Sequence, residues 1–115
     1  MEIKERQVGE VTFLDLEGKM TLGDQDSLGE FQVLIAKIVA EGRNLVCLNM
    51  AGVPYVDRAG LEELVRAFTT IARGGGKLKL MNVPKRVIDL LTMTNLMTFF
   101  DIFDLEEEVV ESFKK

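Results

Sequence analysis

Histidine is absent from this chain of 115 residues, and its single cysteine, Cys47, stands inside the apolar run LVCLNM. That composition removes the usual zinc ligand sets, the Ser-His and Cys-His nucleophile pairs, and the commonest general base. Catalysis would fall to carboxylates or lysines. The carboxylate groups Asp24 with Asp26, Glu62 with Glu63, and Glu106 to Glu108 lie at expected helix starts or on solvated faces, where they read as caps and surface charge. Gly74-Gly75-Gly76-Lys77 has the residue types of a phosphate loop. It follows an expected helix and leads into an expected strand, however, the reverse of the strand-loop-helix order that cradles phosphate. The sequence therefore predicts no enzyme, no metal site and no cofactor, with Cys47 as a buried core thiol.

One segment does have the character of a site. In NMAGVPYVDRAGLEEL a buried strand gives way, through a short turn, to an amphipathic helix, and functional loops often occupy such places. Asp57 is a natural N-cap, its carboxylate accepting from amides two or three residues on. Gly60 lets another backbone approach closely, at a cost in helix stability. Arg58 puts a cation in the first helical turn, where the dipole disfavours it, so either it pairs with an acid such as Glu62 one turn along or something other than stability placed it there.

The elements that must position this segment follow from periodicity. Ile3 to Val8 and Val11 to Glu17, separated by Gly9-Glu10, read as an antiparallel hairpin. Leu28, Phe31, Leu34, Ile35, Ile38 and Val39 form the stripe of a helix lying on a sheet, begun by a Ser27/Glu30 capping box or by Asp24 or Asp26, and ended by Gly42. Leu45 to Met50 is nearly continuous apolar sequence and belongs at the centre of the sheet. The next helix carries Leu61, Leu64, Val65, Phe68, Ile71 and Ala72 on one face, with Phe31, Ile35, Leu64 and Phe68 as core residues, and the triple glycine stops it. Lys77 to Met81 reads as an edge or half-buried strand, and Pro84 opens a helix through Val87, Leu90, Leu91 and Thr94 that Asn95 closes. A short strand near Phe99 to Phe103 and a last helix, capped by Asp104 with Glu106 to Glu108 in its first turn, complete the order. Leu96, Met97, Phe99 and Phe100 read as core closing the sheet edge, with a dimer or partner patch as the alternative. The sum is one α/β domain over residues 1–115, with a four- to five-stranded mixed sheet and helices mainly on one face.

Composition narrows the partners. A net charge of −5 with no basic stripe argues against nucleic acid. The N-terminal MEIKERQVGE has no apolar signal region, and no stretch approaches about 18 apolar residues, so the expectation is a cytoplasmic protein without direct membrane insertion.

The motif VPYVDRAGL resembles the signature of the anti-sigma-factor-antagonist (STAS-domain) family, in which an apolar strand, a turn of the form v-x-Y-x-D-S-x-G-L and an amphipathic helix follow one another. EGKMTLGD is similar to the family's glycine-containing turn before the first helix, GGGKLKLMNVP to its "GG-x-l-x-l" strand, and LTMTNLMTFFDIF to its "l-x-x-t-G-L-x-x-x-f-x-i" stretch. The resemblance covers roughly the whole chain in the family's order. It implies a regulatory module that binds an anti-sigma factor, itself a serine kinase-like protein, until phosphorylation of the serine after the motif's aspartate ends the interaction. Asp57, Gly60 and Leu61 match; the serine position is Arg58, the next residue is Ala59, and the acidic residue of many relatives falls at Thr21, with Asp24 close by. The binding surface so implied spans Thr21, Gly23, Asp24, Asp57, Arg58, Ala59, Gly60 and Glu62. An arginine neither accepts a phosphoryl group nor mimics phosphoserine, so the implied role is binding without that off-switch. The alternative the family offers is an accessory subunit of a membrane transporter or lipid-transport ATPase complex, and an oligomer is left open.

Overall fold

The computed structural model describes residues 1–114, of which Asp24 and Gln25 are described by backbone alone. Five strands lie in spatial order 1-2-3-4-5: β1 (Glu2–Val8), β2 (Val11–Glu17), β3 (Leu45–Gly52), β4 (Lys77–Met81) and β5 (Asp101–Phe103). The hairpin is in register from Glu2 opposite Glu17 to Val8 opposite Val11, and every later pairing is parallel. Gly9 has φ of +60°, the left-handed geometry that a two-residue hairpin turn requires. Parallel neighbours need crossovers, supplied by α1 (Gln25–Ala40), α2 (Arg58–Arg73) and α3 (Lys85–Met93); α4 (Glu106–Phe113) follows the last strand.

Alternation along the strands sorts the core into two layers. Leu14, Leu16, Val46, Leu48, Leu78 and Leu80 face α1, α2 and α3, where Phe31, Ile35, Leu64, Ile71, Val87 and Leu91 close the larger core. Val11, Phe13, Cys47 and Met81 point the other way and are covered by Val109 of α4. β3 is therefore central and buried on both faces, as its apolar run predicts.

Several expectations are corrected. β4 is an interior strand, buried from Leu78 to Met81, rather than an edge or half-buried one: even Lys79 is only 6% exposed because α4 covers it. Its ammonium reaches Ser112 Oγ at 2.8 Å and lies over the rings of Phe103 and Phe113, so the charge is hydrogen-bonded and faces aromatic quadrupoles. Ser27 lies inside α1, accepting from the N-terminal ammonium of Met1 at 3.2 Å, so it forms no capping box with Glu30. Asp26 also lies inside α1, in its first turn, and is not its cap; the side chain of Asp24, the remaining expected cap, lies outside the described residues. Leu105, not Asp104, occupies the N-cap of α4, without a side-chain hydrogen bond. On α2, Ala67 faces the core and Ala72 the solvent, while Phe68 is half-buried against Phe99 and Phe100. Of the residues expected to close the sheet edge, Phe100 is buried, Leu96 and Met97 are half-buried, and Phe99 is exposed.

Candidate functional site

The carboxyl ends of parallel strands, where chain leaves the sheet for the helices, are the places this architecture leaves open to a partner. Here the exits from β2 and β3 run side by side. Gly18 N donates to Gly52 O at 2.9 Å, Met20 N to Tyr55 O at 3.1 Å and Asp57 N to Met20 O at 3.2 Å, so residues 18–22 are laced to residues 52–57. Met20 and Val56 pair as an isolated parallel bridge, and both side chains are buried.

Asp57 joins the two exits. Its Oδ1 accepts from Gly60 N at 2.9 Å, the N-cap bond read from the sequence, and its Oδ2 accepts from Leu22 N at 2.8 Å. One carboxylate thus caps α2 and pins the turn before α1. Burial pushes this carboxyl up, but the amides of Leu22, Gly60, Ala59 and Asp57 itself outweigh it and hold it below the ordinary aspartate range.

Gly60 explains the closeness of the two segments. A Cβ there would overlap the Met20 carbonyl oxygen and stand 2.8 Å from the Met20 carbonyl carbon. The absent side chain is what admits the Met20 backbone beside the first turn of α2, so the glycine's cost to the helix is offset by the packing it permits.

Arg58 projects outward. Its side chain is 94% exposed, and its Nε stands 4.0 Å from Glu62 Oε1, a long and solvated contact whose partner is itself 70% exposed. Such a pair contributes little, so the arginine is not held in place by its acid. Ala59 is half-buried, with no side-chain oxygen.

The structure brings Thr21, Asp57, Arg58, Ala59, Gly60 and Glu62 to one end of the molecule, with Gly23 exposed in the 3-10 turn Leu22–Asp24 beside them. It also adds residues the sequence reading passed over. Met20 and Leu22 supply the carbonyl and amide that bind Asp57, and Leu22 and Tyr55 are exposed, at 59% and 42%. A leucine inside the polar stretch TLGDQD was the available signal. Cys47 lies outside the site; burial pushes its thiol up to about 12, and the thiol is inert at neutral pH. Gly74 to Gly76 close α2 and feed β4, with Gly75 at φ +82°, and form no cradle ahead of a helix.

The model of the STAS domain family matches residues 2–109. An anti-sigma-B factor antagonist of Bacillus subtilis (strain 168) is 33% identical over 89 residues, covering 77% of this chain and 78% of that protein. Among solved structures, a protein from Thermotoga maritima superposes with a TM-score of 0.88 at 21% identity, over 98% of this chain and 95% of the other. A sulfate transporter family protein from Wolinella succinogenes superposes with a TM-score of 0.76 at 20% identity, over 93% and 87%. Among the described residues, no helix is long and apolar enough to cross a membrane.

Proposed function

This chain belongs to the STAS domain family, and from that premise we propose that it is an anti-sigma-factor-antagonist-like module that binds an anti-sigma, kinase-like protein and lacks the phosphorylation that would release it. The proposed binding surface comprises Thr21, Gly23, Asp24, Asp57, Arg58, Ala59, Gly60 and Glu62, from the turn before α1 and the start of α2. The observation that carries this reading is the double role of Asp57: bonds to Leu22 N and Gly60 N make the turn before α1 and the start of α2 one preorganised surface. A rigid surface loses less on binding, which suits a docking face.

Arg58 and Ala59 supply the second half of the reading. Neither offers an oxygen nucleophile, and the next hydroxyls along α2, Thr69 and Thr70, lie about three turns on, roughly 16 Å away at 1.5 Å per residue. Both are half-buried, and Thr69 Oγ1 is bonded back to Val65 O at 3.0 Å. Incubation with a competent partner kinase and ATP should leave the motif unmodified by mass spectrometry. Arg58→Ser should create an acceptor beside Asp57, and its phosphorylation should weaken binding by setting about two negative charges into the interface. Phosphate on the natural chain at Thr21, Thr69 or Thr70, with loss of binding, would overturn the claim.

The likeness to a sulfate transporter family protein is one of fold, and it keeps a second reading alive, that of an accessory subunit of a transport complex. Copurification separates the two: an ATP-binding kinase-like protein for the first, a transporter component for the second.

A further inference from the structure

The motif surface continues past the first turn of α2. One face of that helix presents Arg58, Leu61, Glu62 and Val65 in sequence, and opposite them stand Leu90 of α3 and Leu96 just beyond it. Between the two walls lies an open cleft of about 580 Å³. The left-handed turn at Asn95, with φ of +62°, and the bond from Leu96 N to Leu91 O turn Leu96 back toward α2. Thr94 also lines the cleft; its hydroxyl donates to Leu90 O at 2.8 Å, so only its acceptor capacity is left to the cleft.

A groove between two helices has the shape that takes a ridge of a third. The charges tell more. Arg58 is the cation of the cleft lining, 94% exposed; its nearest acid, Glu62, lines the cleft too but is 4.0 Å away in solvent, and the end of α2 itself is already capped by the Asp57 carboxylate. An incoming carboxylate would meet the guanidinium, which its long, solvated contact with Glu62 leaves able to form a closer pair. We propose that this cleft receives an amphipathic helix of a partner protein, with apolar side chains one turn apart against Leu61, Val65, Leu90 and Leu96 and a carboxylate reaching Arg58. The proposal rests on the partner-binding reading above and specifies the partner's chemistry.

Two synthetic helical peptides of about 14 residues, with leucines at i, i+3 and i+7 and either a Glu pair or a Lys pair at one end, provide the test. Titrated into the isotope-labelled chain, the acidic peptide should shift the amides of Leu61, Val65, Leu90 and Leu96, and the basic one should bind about tenfold more weakly. Arg58→Glu should reverse that preference. Val65→Gln, at a half-buried position, should abolish binding of the acidic peptide while leaving the thermal midpoint of unfolding near that of the natural chain. Failure of both peptides to bind, shifts confined to other surfaces, or indifference to Arg58→Glu would overturn the proposal. So would concentration-dependent shifts of the same amides without peptide, which would give the cleft to a second copy of the chain. A Val65→Gln chain that still captures a kinase-like partner overturns the cleft assignment alone, whereas a natural chain that captures none overturns the reading on which it rests.

Discussion

At the scale of single residues, Asp57 and Gly60 act together on one junction. Asp57→Ala removes a helix cap and releases the Leu22 amide, and it should cost about 1–2 kcal/mol in urea unfolding. Because the folded carboxyl is held below its ordinary value of 3.8, its contribution is fully present above that value and fades as pH falls through the folded one. The stability gap between the natural chain and Asp57→Ala should therefore be level from about pH 5 to pH 8 and narrow below about pH 4. Gly60→Ala should be worse despite alanine's better helix propensity. The added methyl collides with the Met20 backbone, which cannot rotate away as a side chain could, and a loss of about 3 kcal/mol with shifted Met20 and Leu22 amides is the expected outcome.

At the scale of elements, the two faces of the sheet are unequally built. Leu64→Ala on α2 or Phe31→Ala on α1 empties a fully buried site and should cost about 2–5 kcal/mol. Phe68→Ala should cost less than Phe31→Ala, since its ring is half-buried and packs on Phe99 and Phe100 at the rim. Equal losses at the two sites would show that the rim cluster is as closely packed as the core. On the opposite face α4 is held by Val109 in the apolar layer, by Arg6 to Glu106 at 2.9 Å and by Lys79 to Ser112. Arg6 also meets Asp15 at 2.6 Å, and Asp15 accepts from Asn49 at 2.8 Å, so a polar ladder ties β1 through β3 beside that helix. The Arg6 guanidinium holds the Asp15 carboxyl below its ordinary range, against burial, with Asn49 assisting.

At the scale of the whole molecule, Cys47 reports on integrity. It sits fully buried in the central strand beneath α4, and its thiol is held up at about 12. A thiol reagent at pH 8 should leave it unreacted in the folded chain and label it at the rate of opening in urea. Fast labelling in native buffer, with the rest of the chain still protected from hydrogen exchange, would show that α4 detaches on its own.

The sequence by itself determined the order of elements, the central place of the LVCLNM strand and the cap at Asp57. These follow from local periodicity and from one residue bonding to amides a few positions on, so a short window contains the cause. Its reading of Gly60 as a point of close approach was also right, but it could not say that the approaching backbone is Met20, forty residues earlier. The interior position of β4, expected as an edge or half-buried strand, and the burial of Lys79 were not legible because alternation in KLKLM reports which side a residue faces, not whether a later helix covers that side. The second ligand of Asp57 at Leu22 and the cleft walls at Leu90 and Leu96 were likewise decided only by tertiary structure. Those contacts join segments brought together by parallel crossovers, and the position of a crossover's return is fixed by packing across the whole sheet rather than by any stretch of neighbouring residues.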